Sequence, residues 1–327
     1  MSVSETLHPM LSAKGWRIYT ASGKLNRLLR MFDMLATTWK NRKDYDCAFV
    51  EVYSGKAFIW AELICFLLII LHKPFILGLF GGNLPGFSKR NPRRVDRLLR
   101  SASIVIAPSQ YLSRQLRPFT SANIIVFPYG VSMDRFQYRL RTKLEPKLIT
   151  MRGFHSIYCP WVAVETVAIL GKDYPDISLI MSGGNKKDGS LERTKKIIQE
   201  NDIEKKVTIT GHIGSPYLET FLMSSDILLN MPIIDNTPVS VIQAMACGLC
   251  IVSSNVGGLP DLIQDGIDGL LVPPNDPQAL AAAVRRLLTE PGLAPRISEN
   301  ARKKAEQYNW SVILPQWEVL FQNVINA

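Results

Sequence analysis

Short apolar runs that end in glycine, serine or proline alternate with longer stretches of helical periodicity along almost the whole chain. That alternation predicts parallel α/β sheets. In the first half the pattern predicts a helix over residues 1–13, a strand over 17–21, a helix over 24–41, a strand over 46–53 and a helix over 57–71. A strand over 75–79, a helix over 92–101, a strand over 104–107, a helix over 109–116 and a strand over 124–127 follow. Pro92 suits the first turn of its helix, where a missing N–H costs nothing. The basic, polar stretch 134–147 reads as a linker. The pattern then restarts with strands over 148–151, 178–181, 207–210, 227–230 and 250–253. Helices over 159–171, 189–201, 216–223, 238–247 and 277–289 alternate with them. The expected division is therefore residues 1–133, the linker, residues 148–312, and a last helix over 313–327 packing back toward the first domain. Tandem domains of this class bind ligands at the carboxyl ends of their strands, in a cleft. The helix over 1–13 has the character of one that follows an opening strand and its glycine-rich turn, so the pattern starts one element late.

The apolar stretch from Ala57 to Leu79 changes this picture least. It contains Glu62 and is broken at Lys73-Pro74 after about fifteen residues, short of the roughly 20 needed to span a bilayer. It is read as a buried helix and a strand. The N-terminus is polar, without the basic and apolar regions of a secretory leader. Five scattered cysteines speak for a reducing compartment, with the cytoplasm as the expected location. Cys247-Gly-Leu-Cys250 has redox spacing but straddles a helix end and a strand, so two core thiols are expected. Asp44-Tyr-Asp46 precedes a strand and the four histidines lack ligand spacing, so no metal site is expected.

Charge separates the two halves. Residues 1–147 hold 23 Lys+Arg against 9 Asp+Glu, a balance of +14, whereas residues 148–327 hold 15 against 19, a balance of −4. The densest basic run includes Arg90, Arg93, Arg94, Arg97 and Arg100, the last four at helical spacing. A solvated helix face explains it, and so does an anionic membrane surface on the inner face. No nucleic-acid motif accompanies it, and nucleic acid is not expected as a partner.

Candidate chemistry concentrates in Asp235-Asn-Thr-Pro-Val-Ser-Val-Ile-Gln-Ala-Met-Ala-Cys-Gly. A strand ends near Asn230, a loop carries a carboxylate, and a helix starts at Pro238 with Thr237 as the expected N-cap. Free amides at a helix start suit a diphosphate. Asp235 and Gln243, eight apart, can both reach a ligand lying over that start.

This segment, followed by Gly257-Gly258 and by Asp265-Gly-Ile-Asp-Gly-Leu-Leu-Val-Pro-Pro274, resembles the signature of glycosyltransferase family 4, retaining enzymes of the GT-B fold. The resemblance covers residues 148–312 well and residues 11–136 more loosely. It implies two Rossmann-like doubly wound α/β domains facing a central cleft, the first lacking its opening strand. It implies a metal-independent transfer of a sugar from a UDP- or GDP-type donor to a glycan or lipid-linked acceptor, in cell-envelope polysaccharide synthesis. By the resemblance Asp235 faces the donor sugar, Gln243 the ribose, and Arg152 the diphosphate. Gly183 and Gly184 admit the nucleotide, His212 and Ile213 lie where the base is held, and Asn236, Thr237, Pro238, Val239 and Ser240 form the diphosphate-binding helix start. Phe80, Gly81, Gly82 and Asn83 lie on the acceptor side. The sequence departs from the family pattern in having Phe80 for a histidine, Asp235 and Gln243 for two glutamates, and Ile157-Tyr158 for a lysine. Those departures, with the absent opening strand, make a catalytically weakened or truncated scaffold, acting as a binding or regulatory partner, the alternative reading.

Overall fold

The computed structural model describes residues 3–21, 23–24, 26–80, 83–214 and 217–326, without the side chain of Arg27. The chain divides into two compact units, residues 1–130 with 311–327, and residues 131–310.

The first unit contains α1 (Val3–Ala13), α2 (Arg27–Lys40), β1 (Ala48–Val52), α3 (Phe58–Ile70), β2 (Phe75–Leu79), α4 (Leu84–Arg90), α5 (Pro92–Arg100), β3 (Ile104–Ala107), α6 (Gln110–Leu116) and β4 (Ile124–Val126). All strand pairs are parallel and lie in the order β1-β2-β3-β4. Alternation along each strand sends Val50, Val52, Leu77, Leu79 and Val105 into one core with Phe58, Leu68, Val95, Leu98 and Leu112 from α3, α5 and α6. On β1, Phe49 alternates with these residues and meets Trp317 of the C-terminal helix, their rings 5.1 Å apart. Residues 17–21, expected as a strand, join neither sheet. Just before them, Trp16 packs at a tilt on Phe321 and donates through Nε1 to Glu318, which ties the start of this segment to the last helix.

The second unit contains β5 (Lys147–Met151), α7 (Pro160–Leu170), β6 (Ser178–Ser182), α8 (Ser190–Glu200), β7 (Val207–Gly211), α9 (Leu218–Met223) and β8 (Ile227–Asn230). It continues with α10 (Val239–Ala246), β9 (Cys250–Ser254), α11 (Leu259–Leu262), β10 (Leu270–Val272), α12 (Pro277–Thr289) and α13 (Leu293–Glu306). The last helix of the chain is α14 (Trp310–Ile325). The sheet order is β10-β9-β8-β5-β6-β7, all parallel. The chain winds outward from β5 to β7, returns to place β8 beside β5, and winds the other way. Such a reversal leaves a crevice at the carboxyl ends of the two central strands, here β5 and β8.

The segment read as a linker is bolted to this unit. Arg141, 2% exposed, donates through its side chain to Asp226 and to the carbonyls of Ser225 and Cys247, and through its backbone amide to the Ser298 hydroxyl. Arg139 pairs with the same Asp226. The second core, built from β5 to β10 with α7, α10, α12 and α13, holds Cys247 and Cys250 as fully buried free thiols.

Candidate functional site

The loop after β5 carries Arg152, and the loop after β8 carries Asp235. Because β5 and β8 are neighbours at the winding reversal, residues 83 positions apart in sequence become adjacent. The Arg152 Nη2 and Asp235 Oδ2 atoms form an ion pair, with side chains 21% and 15% exposed. The two loops are joined by their backbones as well, since the Ile233 amide donates to the Ile157 carbonyl at 2.9 Å. Burial pulls the Arg152 guanidinium below its ordinary pKa, and the facing Tyr158 oxygen opposes that pull. The Tyr158 ring also stacks under the guanidinium, 4.3 Å from its carbon. Arg152 Nε is buried and donates to nothing. A buried donor without an acceptor is costly, about 1–3 kcal/mol, and it marks where an anionic acceptor would be received.

Three backbone features hold this arrangement. Gly183 follows β6, and a Cβ there would collide with the Arg152 carbonyl. The Gly184 carbonyl accepts from Phe154. Thus the glycine pair first serves to seat the arginine loop. Beyond it, Gly184 faces open space. Gly257 adopts φ +58°, and a Cβ on it would collide with the Asp235 carbonyl, which also accepts from the Gly258 amide at 3.0 Å. The Asp235 loop is therefore set from below by the Gly257-Gly258 turn, a role the sequence motif contains but does not explain. The loop also closes on itself, with the Asn236 amide donating to Asp235 Oδ1 at 2.8 Å.

Helix α10 begins just beyond. Its N-cap position is Pro238, in extended conformation, and not Thr237 as the sequence suggests. Thr237 is buried one residue earlier. A proline at the N-cap has no side chain able to accept from the first amides, so those of Val239 and Ser240 are open to an external anion. Gln243 lies in the second turn of α10, half-exposed. His212 and Ile213 follow β7, two strands away from β5, the first exposed and the second partly so. His155 does not join Arg152. Its Nδ1 accepts from the Ile157 amide at 3.1 Å and lies 3.7 Å from Asp188. The Asp188 carboxyl is held well below its usual range by the Ser190 hydroxyl and the Ser156 amide.

In the first unit, Phe80 follows β2 and is built into an aromatic cluster with Phe49 and Tyr129, ring centroids 6.2 Å and 5.4 Å away. Gly78 permits this, because a Cβ there would touch both Phe80 and Phe49. Asn83 is exposed at the start of α4, a helix that the sequence pattern does not predict. Gly81 and Gly82 lie outside the described residues. Of the basic run, Arg94 is engaged by Glu62 through two hydrogen bonds and Arg100 lies 3.7 Å from Asp96, while Arg90, Arg93 and Arg97 are exposed.

Comparison with known proteins places this geometry. Residues 159–304 match the family model described as glycosyl transferases group 1. The chain is 28% identical over 242 residues to the D-inositol 3-phosphate glycosyltransferase of Paenarthrobacter aurescens (strain TC1), a match covering 68% of this chain and 58% of that protein. The chain spans less than two thirds of the length of that curated relative. Among solved structures, sucrose-phosphate synthase from Thermosynechococcus elongatus superposes with a TM-score of 0.78 at 18% identity, over 98% of this chain and 92% of its own. Anabaena HepE in complex with UDP-glucose gives 0.76 at 17% identity, over 97% and 88%. Residues 159–304, which include α10 and the loop bearing Asp235, match the model of the glycosyl transferases group 1, and the chain has the α/β fold of the GT-B glycosyltransferases.

Proposed function

We propose that this chain transfers a sugar, with retention, from a nucleoside-diphosphate sugar to a glycan or lipid-linked acceptor of the cell envelope. The observation that carries the reading is the junction of Arg152 and Asp235 at the β5–β8 reversal, with an unpaired guanidinium N–H and an uncapped helix start beside it. The donor diphosphate lies on the amides of Val239 and Ser240 with Arg152 opposite. As the bond from the anomeric carbon to the diphosphate breaks, the electron pair goes to the diphosphate, and these fixed positive groups stabilise it. Asp235 turns to the sugar hydroxyls and Gln243 to the ribose, as an amide able to donate and accept. The bound UDP-glucose of HepE supports a donor of this class. In this reading the protein itself meets the leaving charge, and no role falls to a metal ion. Phe80, Gly81, Gly82 and Asn83 are assigned to the acceptor side.

Calorimetric titration of the full chain with UDP, GDP and ADP tests the donor site. One nucleotide binds, and Arg152→Ala weakens it at least roughly thirtyfold, about 2 kcal/mol. Asp235→Asn leaves nucleotide binding within a few fold and removes turnover. Absence of binding to all three nucleotides by the folded chain defeats the reading. The packed Phe80 cluster and the amide at Gln243 favour a second reading, a nucleotide-binding partner without turnover. It predicts the same Arg152-dependent titration with no sugar released from any donor.

A further inference from the structure

Helix α3 is apolar at every position but Glu62, a composition that normally marks a helix buried all round. Only half of it is buried. Phe58, Ala61, Cys65 and Leu68 face the core, whereas Ile59, Leu63, Phe66 and Ile70 are exposed, Phe66 by 62%. These four positions, at spacings of four, three and four, fall on one stripe of the helix. Neighbouring helix α2 packs along α3 and adds Leu28 and Phe32, exposed by 66% and 62%. Monomeric surfaces rarely expose so many large apolar side chains on two neighbouring helices, and such exposure marks an interaction surface.

The surroundings of the stripe are basic on both flanks. At 100° per residue, Glu62 and Trp60 lie on opposite sides of it. Glu62 holds Arg94 of α5, which brings that helix, with exposed Arg93 and Arg97, along one flank. Trp60 lies under the Arg30 guanidinium of α2, which defines the other. Beyond the end of α2, Arg42 stacks on the exposed Trp39, next to Lys43. The carboxylates carried by these two helices are Glu62, paired with Arg94, and Asp33. Among the described residues no helix is long and apolar enough to cross a membrane.

We propose that the α2–α3 face docks on the surface of an anionic bilayer, with Phe66, Ile70 and Phe32 entering the headgroup boundary and the flanking arginines pairing with lipid phosphates. Apolar side chains in the boundary and cations at headgroup level are the two contributions that hold an interfacial helix. Residues 1–130 hold 18 Lys+Arg against 7 Asp+Glu, a balance of +11, which gives the first unit long-range attraction to a negative surface. This assignment places the bilayer contact mainly on α2 and α3, with the α5 arginines as a flank, and it is independent of the sugar-transfer reading.

Sedimentation of the full chain with vesicles of phosphatidylcholine, with and without phosphatidylglycerol, tests it. The chain sediments with the phosphatidylglycerol vesicles, remains in solution with phosphatidylcholine alone, and is released by salt. The doubly substituted Phe66→Gln, Ile70→Gln chain loses roughly tenfold or more in vesicle affinity with its melting temperature unchanged. Phe32→Gln, on the other helix, weakens binding in the same direction and guards against a folding defect confined to α3. Failure of the unsubstituted chain to sediment, or undiminished binding by all these variants, overturns the proposal. So does a dimer in size-exclusion chromatography that the Phe66 and Ile70 substitutions dissolve, since the face would then be covered by a second copy.

Discussion

Arg152 and Asp235 are each placed by a glycine rather than by a side chain, because a carbonyl occupies the space where a Cβ would stand. Gly257 carries the sharper consequence, since its φ of +58° and its contact with Asp235 both exclude a side chain. Gly257→Ala is expected to cost about 2–3 kcal/mol of stability and to abolish nucleotide binding. Gly266 has φ +72° but open space around it. Gly266→Ala is therefore expected to cost only the backbone strain, about 1 kcal/mol, and to leave binding intact. Urea denaturation with calorimetry separates the two, and equal effects on binding would sink this account of the turn. Residue-level chemistry was partly legible. Arg152, Asp235 and the Pro238 helix start stand out in the sequence. The stacking of Tyr158 on Arg152 does not, because an aromatic residue six positions after an arginine has no local reason to meet it.

At the scale of elements, the 139–147 segment is held by a buried guanidinium rather than by apolar packing. Burial lowers the pKa of Arg141, and Arg139 adds to that effect. Replacing Arg141 with methionine leaves the carbonyls of Ser225 and Cys247 only the longer contacts from Arg139, at 3.4 Å and 3.3 Å, and removes one donor from Asp226. A loss of about 3–5 kcal/mol is expected, read as a lower urea midpoint. The buried thiols give a pH signature. Burial pushes Cys247 and Cys250 up from an ordinary value of 9.0 to about 12. The unfolded chain releases these protons first. The stability they contribute is therefore full below pH 9 and is lost as pH rises toward 12. At pH 10 each thiol accounts for about 1.4 kcal/mol. The Cys247→Ala, Cys250→Ala chain should show a flatter fall in melting temperature between pH 8 and pH 10. The same slope in both chains would contradict the assignment. Helices α4 and α13 were not legible as elements. The inward face of α13 is largely alanine and serine, which leaves a weak apolar period, and α4 opens with Pro85-Gly86, which reads as a turn.

At the scale of the molecule, the two units have separate cores. The clusters spanning β5 to β10 draw only on residues 131–310, and the cluster around α3 only on the first unit. Residues 131–310 expressed alone are expected to melt cooperatively and to bind the nucleotide recognised by the full chain. Circular dichroism and calorimetry check this, and an unfolded fragment would show that its core needs the remainder of the chain. The basic balance of the first half acquires its meaning only here, because the cations flank an apolar stripe that periodicity alone assigns to the interior.

The sequence by itself determined most of the alternation of strands and helices and the second unit's motif, since each rests on local period, turn chemistry or spacing. It left out β10, α4, α11 and α13 and set a strand at residues 17–21, where none forms. Tertiary structure decided which residues meet. The return of β8 to the side of β5 joins Arg152 to Asp235, Gly183 and Gly257 fix the loops that bear them, and Phe80 turns into a packed cluster. It also decided that half of α3 faces outward, because a helix has two sides and only one of them can lie on a sheet.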